Sequence, residues 1–210
     1  MVVSDSHTFI FVHIRKAAGG SIRDSLLPLS ITPANDISSK IKSRILNIER
    51  NYQKFSFRHH SPIVDAIKLM PKELFDSYFK FAFVRNPYTR LISEYEFIRR
   101  RPDHGRHRKV IKMSFDQYIR FQSKRFDAHQ VNMLTDAQGN LQMDFIGRFE
   151  NLHQDWALIC DRLALKNAEL SHRKKAVKVN LIDYYNKENI KLVARLWKAD
   201  LEAFEYEYPD

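Results

Sequence analysis

Residues 78–95 read Tyr78-Phe-Lys-Phe-Ala-Phe-Val84 and then Arg85-Asn-Pro-Tyr-Thr-Arg-Leu-Ile-Ser-Glu-Tyr95. The first part is almost continuously apolar and rich in aromatic residues. That is the pattern of a strand buried on both faces of a parallel sheet. Pro87 suits the first turn of a helix, and the helix is expected from about Tyr88 to Arg100. Arg85 therefore stands at the carboxyl end of a buried strand, where open α/β sheets bind ligands.

The same order occurs upstream. Residues 8–14, Thr-Phe-Ile-Phe-Val-His-Ile, form a second short apolar run. A loop from Arg15 to Gly20 follows, and Ser21 is expected to cap a helix through Ile22, Leu26 and Leu27. A third strand candidate spans residues 141–149. Helices are expected over residues 38–50, from Ser61 with Pro62 at the first helical position, and from the capping-box sequence Ser114-Phe-Asp-Gln117. Two more are expected, from Asn151 to Leu163 and from Lys187 to Phe204. Strands alternating with helices predict an α/β fold, one domain over residues 1–210, with a mainly parallel central sheet flanked by helices.

The 210 residues, 44% of them hydrophobic, are enough for one domain with a proper core and exclude a disordered chain. No apolar run approaches the roughly 18–20 residues of a membrane span. The start of the chain lacks a basic region and makes a poor signal peptide, so a complete chain is expected to be cytoplasmic. A trimmed membrane-anchored protein is the other option. The single cysteine, Cys160, excludes an intrachain disulfide, and no zinc-type Cys/His spacing occurs. Thirty-five Lys and Arg against 25 Asp and Glu give a net charge of +10, which points to an anionic partner without choosing one.

Arg15-Lys16-Ala17-Ala18-Gly19-Gly20-Ser21 lies between a strand and a helix and has the makings of an anion cradle. A helix N-terminus offers unpaired N–H groups and partial positive charge. Small residues let a phosphate approach, Lys16 adds a mobile charge and Ser21 a hydroxyl. The lysine precedes the glycines, so the order is not that of a nucleoside triphosphatase loop. A tight glycine turn with a solvated lysine would read the same way.

Taken together, the two segments resemble the sulfotransferases, in the carbohydrate (family 2) branch. The first is similar to their 5′-phosphosulfate loop. The second is similar to their 3′-phosphate motif at Arg85, Asn86, Pro87, Arg90, Leu91, Ser93 and Tyr95. The stretch from Asp144 to Leu152, the Tyr184-Tyr185 pair and the Asp200, Phe204, Tyr206 ending resemble further family segments. The first loop departs from the pattern. Arg15 replaces Pro, Ala17 replaces Thr and Gly20 replaces Thr, which removes a hydroxyl worth about 0.5–1.5 kcal/mol as a neutral hydrogen bond.

The resemblance implies a P-loop-like sulfotransferase fold and 3′-phosphoadenosine 5′-phosphosulfate as donor, with no metal. The sulfuryl group would pass in line to a hydroxyl, less readily an amine, of a carbohydrate or related acceptor. It implies that Lys16, Ala17, Ala18, Gly19, Gly20 and Ser21 hold the 5′ side and that Arg85 and Ser93 hold the 3′-phosphate. Lys16 would also stabilise the leaving phosphate. A base-like histidine sits between the two motifs in the family, often before Ser or Thr, which favours His60, with His59 second.

Residues 99–125 carry ten Lys and Arg and two acids, so this one segment supplies +8 of the net +10. Arg99, Arg100 and Arg101 are candidates for binding an anionic acceptor. A solvated loop is the plain alternative. Three other readings compete: a nucleotide- or nucleic-acid-binding basic protein, a P-loop phosphoryl-transfer enzyme, and a catalytically weakened sulfotransferase homologue. No nucleic-acid motif occurs, so nucleic acid is not an expected partner. A second basic patch, Arg173-Lys174-Lys175, falls where the family closes a loop over the cofactor.

Overall fold

The computed structural model describes residues 1–30, 57–165, 170 and 180–209. The chain opens with β1 (Val2–Ser4) and β2 (Phe9–Val12), then α1 (Gly19–Leu26). Helices α2 (Ile63–Leu69) and α3 (Lys72–Ser77) lead to β3 (Phe79–Val84). Next come α4 (Pro87–Arg99), α5 (His107–Val110), α6 (Phe115–Gln122) and α7 (Gln130–Leu134). Then follow β4 (Phe145–Arg148), α8 (Leu152–Arg162), α9 (Lys187–Leu196) and α10 (Lys198–Ala203). The helix expected over residues 38–50 and the Arg173-Lys174-Lys175 patch lie outside the described residues.

The strands form one sheet in the order β1-β2-β3-β4. β2 pairs with β3 and β3 with β4 in parallel, while β1 pairs antiparallel with β2. Side chains alternate across the sheet. Phe9, Phe11, Phe81 and Phe83 line one face, where Ile22 and Leu26 of α1 and Trp156 and Ile159 of α8 cover them. Ile10, Val12, Ala82 and Val84 line the other, against Ile63 and Ala66 of α2 and Met133 and Leu134 of α7. Both faces are buried, which is why these strands read as apolar runs broken only by Lys80. Gly147 of β4 lies opposite Phe83, and a Cβ there would come within 2.6 Å of that ring. A third cluster joins α4, α6 and α9 through Tyr88, Tyr95, Ile119 and Val193.

Several boundaries differ from expectation. β1 is only three residues long, too short to carry a periodic signal. β4 is narrower than residues 141–149, because Leu141 bridges back to Thr135 in a separate turn. α1 begins at Gly19 with Ala18 at its N-cap, so Ser21 lies inside the first turn and does not cap it. α2 begins at Ile63, after an extended Pro62, and no side chain caps it. Asn151 stands at the N-cap of α8 but makes no cap bond. The capping box of Ser114 and Gln117 forms as its sequence predicts.

The tail is not one helix. It breaks at Trp197, which separates α9 from α10. Trp197 is fully buried, donates its indole N–H to the Ala128 carbonyl (2.9 Å) and stacks on His129. Asp200, also fully buried, accepts the backbone N–H groups of Gln130 and Val131, 2.9 Å each. Two anchors three residues apart grip one turn of chain, and the helix axis yields to them.

Candidate functional site

The carboxyl ends of β2 and β3 lie side by side, so the loop after β2 and the turn after β3 meet. Lys16 and Ala18 both adopt left-handed backbone, φ 62° and 60°, while Ala17 between them does not. Alternating handedness turns successive N–H groups to one side, the concave arrangement that binds anions. It opens onto the N-terminus of α1, whose first amides have no intrahelical acceptor. Left-handed non-glycine residues cost of order 1–2 kcal/mol each, strain typical of functional loops.

The glycines of the loop serve a different purpose from the one their sequence suggests. Gly19 and Gly20 are both helical. A Cβ at Gly19 would collide with the His13 imidazole, so this glycine makes room for a histidine. His13 is buried, and its Nδ1 has no partner among the described residues. Burial, with His60 and the neighbouring positive groups, holds its pKa far below the ordinary imidazole value.

The His13 ring centroid lies 4.5 Å from that of His60 and 5.0 Å from that of His59. His60 Nδ1 is 2.9 Å from the His13 carbonyl oxygen. A carbonyl only accepts, so Nδ1 carries the proton and Nε2 keeps its lone pair. His60 is half-buried, and burial pushes its pKa down to about 4. The bond to the His13 carbonyl opposes this shift and Arg15 and His59 add to it. His59 is exposed and stacks on His60 at 5.2 Å.

The two anion motifs meet at Arg85. Its guanidinium donates to the Lys16 carbonyl (3.3 Å) and to Thr89 Oγ1 (3.0 Å), and lies 4.1 Å above the Phe149 ring. Burial lowers its pKa to about 10, still protonated at neutral pH. The Lys16 ammonium rests 4.2 Å from the Phe97 ring centroid. Burial, then the Arg85 charge, lowers the Lys16 pKa. Neither Lys16 nor Arg85 forms an ion pair with a described carboxylate. Ser93 is half-buried on α4, one turn before Phe97 and on the same helix face.

The basic segment divides in two. Arg99 and Arg100 both pair with Glu96, at 3.4 and 2.9 Å. Arg106 pairs with the buried Glu94 at 2.8 Å, and Arg125 with Asp127 at 2.7 Å. Arg101 instead packs 4.7 Å from the Phe97 ring, beside Lys16. Arg15, where the family pattern has Pro, is held by Asp127 at 2.9 Å, a carboxylate that it shares with Arg125. Arg90 is a strut: it donates to the carbonyls of Arg15, Asp127 and Ala128 and ties the first loop to α4.

Sequence reasoning missed His13, Phe97, Phe149 and Gln130. Phe97 had a signal, its i+4 spacing from Ser93. The others depend on contacts far apart in sequence. Among the described residues, no helix is long and apolar enough to cross a membrane, and no three His, Cys, Asp or Glu could hold a metal ion.

Known proteins place this geometry in a lineage. The sequence model of the Sulfotransferase family matches residues 1–207. Carbohydrate sulfotransferase 14 of Danio rerio is similar at 26% identity over 190 residues, 78% of this chain and 48% of that protein. Carbohydrate sulfotransferase 12 of Xenopus laevis is similar at 26% identity, covering 100% of this chain and 60% of its own length. An uncharacterised protein of Archaeoglobus fulgidus is 32% identical over 96 residues, 45% of this chain and 74% of its own. The chain thus spans 48% and 60% of the two carbohydrate sulfotransferases. A match over nearly the whole length, on a mainly parallel sheet with both segments at its strand ends, means that the chain belongs to the Sulfotransferase family.

Proposed function

We propose that residues 1–210 form a single sulfotransferase domain that uses 3′-phosphoadenosine 5′-phosphosulfate as donor. The observation that carries this reading is the bond from Arg85 to the Lys16 carbonyl, which puts two cationic motifs in one site. Neither Lys16 nor Arg85 is ion-paired with a described carboxylate, although Glu94 and Glu150 act on them from a distance, and in this reading a polyanionic nucleotide is their direct partner.

In this reading the residues from Lys16 to Ser21 act as a P-loop-like cradle around the 5′-phosphosulfate. Arg85, in bidentate fashion, and Ser93 hold the 3′-phosphate. The acceptor is a hydroxyl of a carbohydrate or related molecule, set between the cradle and His60. His60 Nε2 takes the hydroxyl proton as the acceptor oxygen bonds to sulfur. The bond from sulfur to the bridging oxygen breaks, and its electron pair leaves with 3′-phosphoadenosine 5′-phosphate. Lys16 stabilises the charge on that oxygen. Catalysis is then mainly positioning and electrostatic stabilisation. His59 stacks behind His60 and supports its orientation, and Arg101 meets an anionic group of the acceptor.

The test is calorimetric titration with 3′-phosphoadenosine 5′-phosphate beside ATP and AMP. Selective tight binding of the first supports the donor assignment. Equal or absent binding of all three overturns it. A second reading, a catalytically weakened homologue, is favoured by Gly20, which lacks a hydroxyl, and by Arg15, whose side chain is tied to Asp127. It predicts selective binding of the nucleotide without turnover of any acceptor.

A further inference from the structure

β3 ends its pairing at Val84, opposite Arg148, and the chain turns away at Arg85. The backbone N–H and C=O of Arg85 therefore leave the sheet at the place where the guanidinium must be aimed. One side chain meets both groups. Gln130 Oε1 accepts the Arg85 N–H at 2.9 Å, and Gln130 Nε2 donates to the Arg85 carbonyl at 2.8 Å. The carboxamide thus takes the place of a neighbouring strand for one residue. Gln130 is fully buried at the first position of α7. Its own backbone N–H donates to Asp200, which fixes the helix end from α10.

We propose that Gln130 is a positioning residue for 3′-phosphate recognition, acting through Arg85. The inference rests on the donor reading above. A carboxamide is required because the two Arg85 groups demand one acceptor and one donor in fixed order. Glutamate has nearly the same shape but cannot donate when ionised, and leucine can do neither. Arg85 released at its backbone keeps its charge and loses its direction, so contacts to the 3′-phosphate suffer more than the 5′ loop, which loses one long bond to the Lys16 carbonyl.

The experiment compares the affinities for 3′-phosphoadenosine 5′-phosphate and adenosine 5′-phosphate by calorimetry. The proteins are the wild-type chain, Gln130→Glu, Gln130→Leu, Arg85→Ala and the double variant Arg85→Ala with Gln130→Leu. Circular dichroism checks that each is folded. The wild-type chain prefers the bisphosphate. Gln130→Glu and Gln130→Leu each reduce that preference about tenfold and change adenosine 5′-phosphate affinity less than twofold. On the Arg85→Ala background, Gln130→Leu produces no further loss of preference. Equal weakening of both nucleotides, an unchanged preference, or additive losses in the double variant would overturn the proposal. If Gln130→Leu does not fold, the near-isosteric Gln130→Glu decides alone, with Arg85→Ala as its reference. Failure of the donor reading shows separately, as a wild-type chain without preference for the bisphosphate.

Discussion

The Lys16 ammonium and the Arg101 guanidinium share one aromatic ring, that of Phe97, at 4.2 and 4.7 Å from its centroid. An ammonium held this way gains about 0.5–1 kcal/mol from the ring. It gives that up when it moves onto a phosphosulfate. Phe97→Leu keeps apolar packing and removes the ring. The expected result is two- to fivefold tighter binding of 3′-phosphoadenosine 5′-phosphate by calorimetry. Weaker binding would mean that the ring aims Lys16 and does not merely park it.

His60→Ala is expected to suppress sulfuryl transfer by 10²–10⁴-fold, the usual scale for a general base. Binding of the desulfated nucleotide should stay within twofold, while Lys16→Ala should impair both. Normal turnover by His60→Ala would remove it from the mechanism.

The depressed His60 pKa has a sign that can be checked. With a folded pKa near 4 and an ordinary value of 6.5, the unfolded chain binds more protons between those values. Stability contributed by neutral His60 is therefore full above about pH 6.5 and is lost as pH falls towards 4. His13 acts in the same direction. Chemical denaturation at pH 7, 5.5 and 4.5 should show falling stability, with a shallower fall in His60→Gln. The acid limb of kcat/KM should lie nearer 4 than 6.5, while that of kcat lies higher because a bound anion raises the imidazole pKa.

The first loop offers opposite outcomes at neighbouring positions. Ala18 has φ 60°, so Ala18→Gly should raise stability by about 0.5–1 kcal/mol, read from denaturation midpoints. Gly19→Ala places a methyl group in the His13 ring and should cost about 1–3 kcal/mol as overpacking. The displaced ring lies against His60, so Gly19→Ala should also lower turnover beyond the loss of folded protein.

Charge pairing ranks the arginines of the rim. Arg101→Ala should raise KM for an anionic acceptor about three- to tenfold at low salt, and less at 0.5 M salt, where screening is strong. Arg99→Ala and Arg100→Ala should each change it less than twofold, because both side chains are tethered to Glu96 on the surface of the helix.

The parts legible in the sequence were those with local signals. β2 and β3 show because burial on both faces leaves a single polar interruption, Lys80. The turn at Arg85 shows because Pro87 marks a helix start; that Asn86 caps it by accepting the Tyr88 N–H is added by the structure. The break at Trp197 does not show, because the 3.6-residue apolar period runs through it and the anchors of Trp197 and Asp200 lie about 70 residues away, at Ala128, Gln130 and Val131. His13 reads as one more residue of a strand end until Gly19 is seen beneath its ring. Gln130 reads as an ordinary polar residue, since its partner lies 45 residues upstream.

The tail bears on when the site can exist at all. Asn86, which caps α4, donates to the carbonyl of Glu207, 121 residues further on. Trp197 and Asp200 pin the segment that carries Gln130, and Tyr206 binds Glu150, which accepts the Asn86 N–H. On the ribosome, the sheet between β2 and β3 can pair once residue 84 has emerged. Asn86, next to the arginine at its end, lacks its Glu207 partner until residue 207 follows, roughly ten seconds later at 5–20 residues per second. A nascent chain therefore acquires its sheet early and the tail contacts around Asn86 and Gln130 last, and a chain stalled short of residue 197 would carry both segments without the Trp197 and Asp200 anchors.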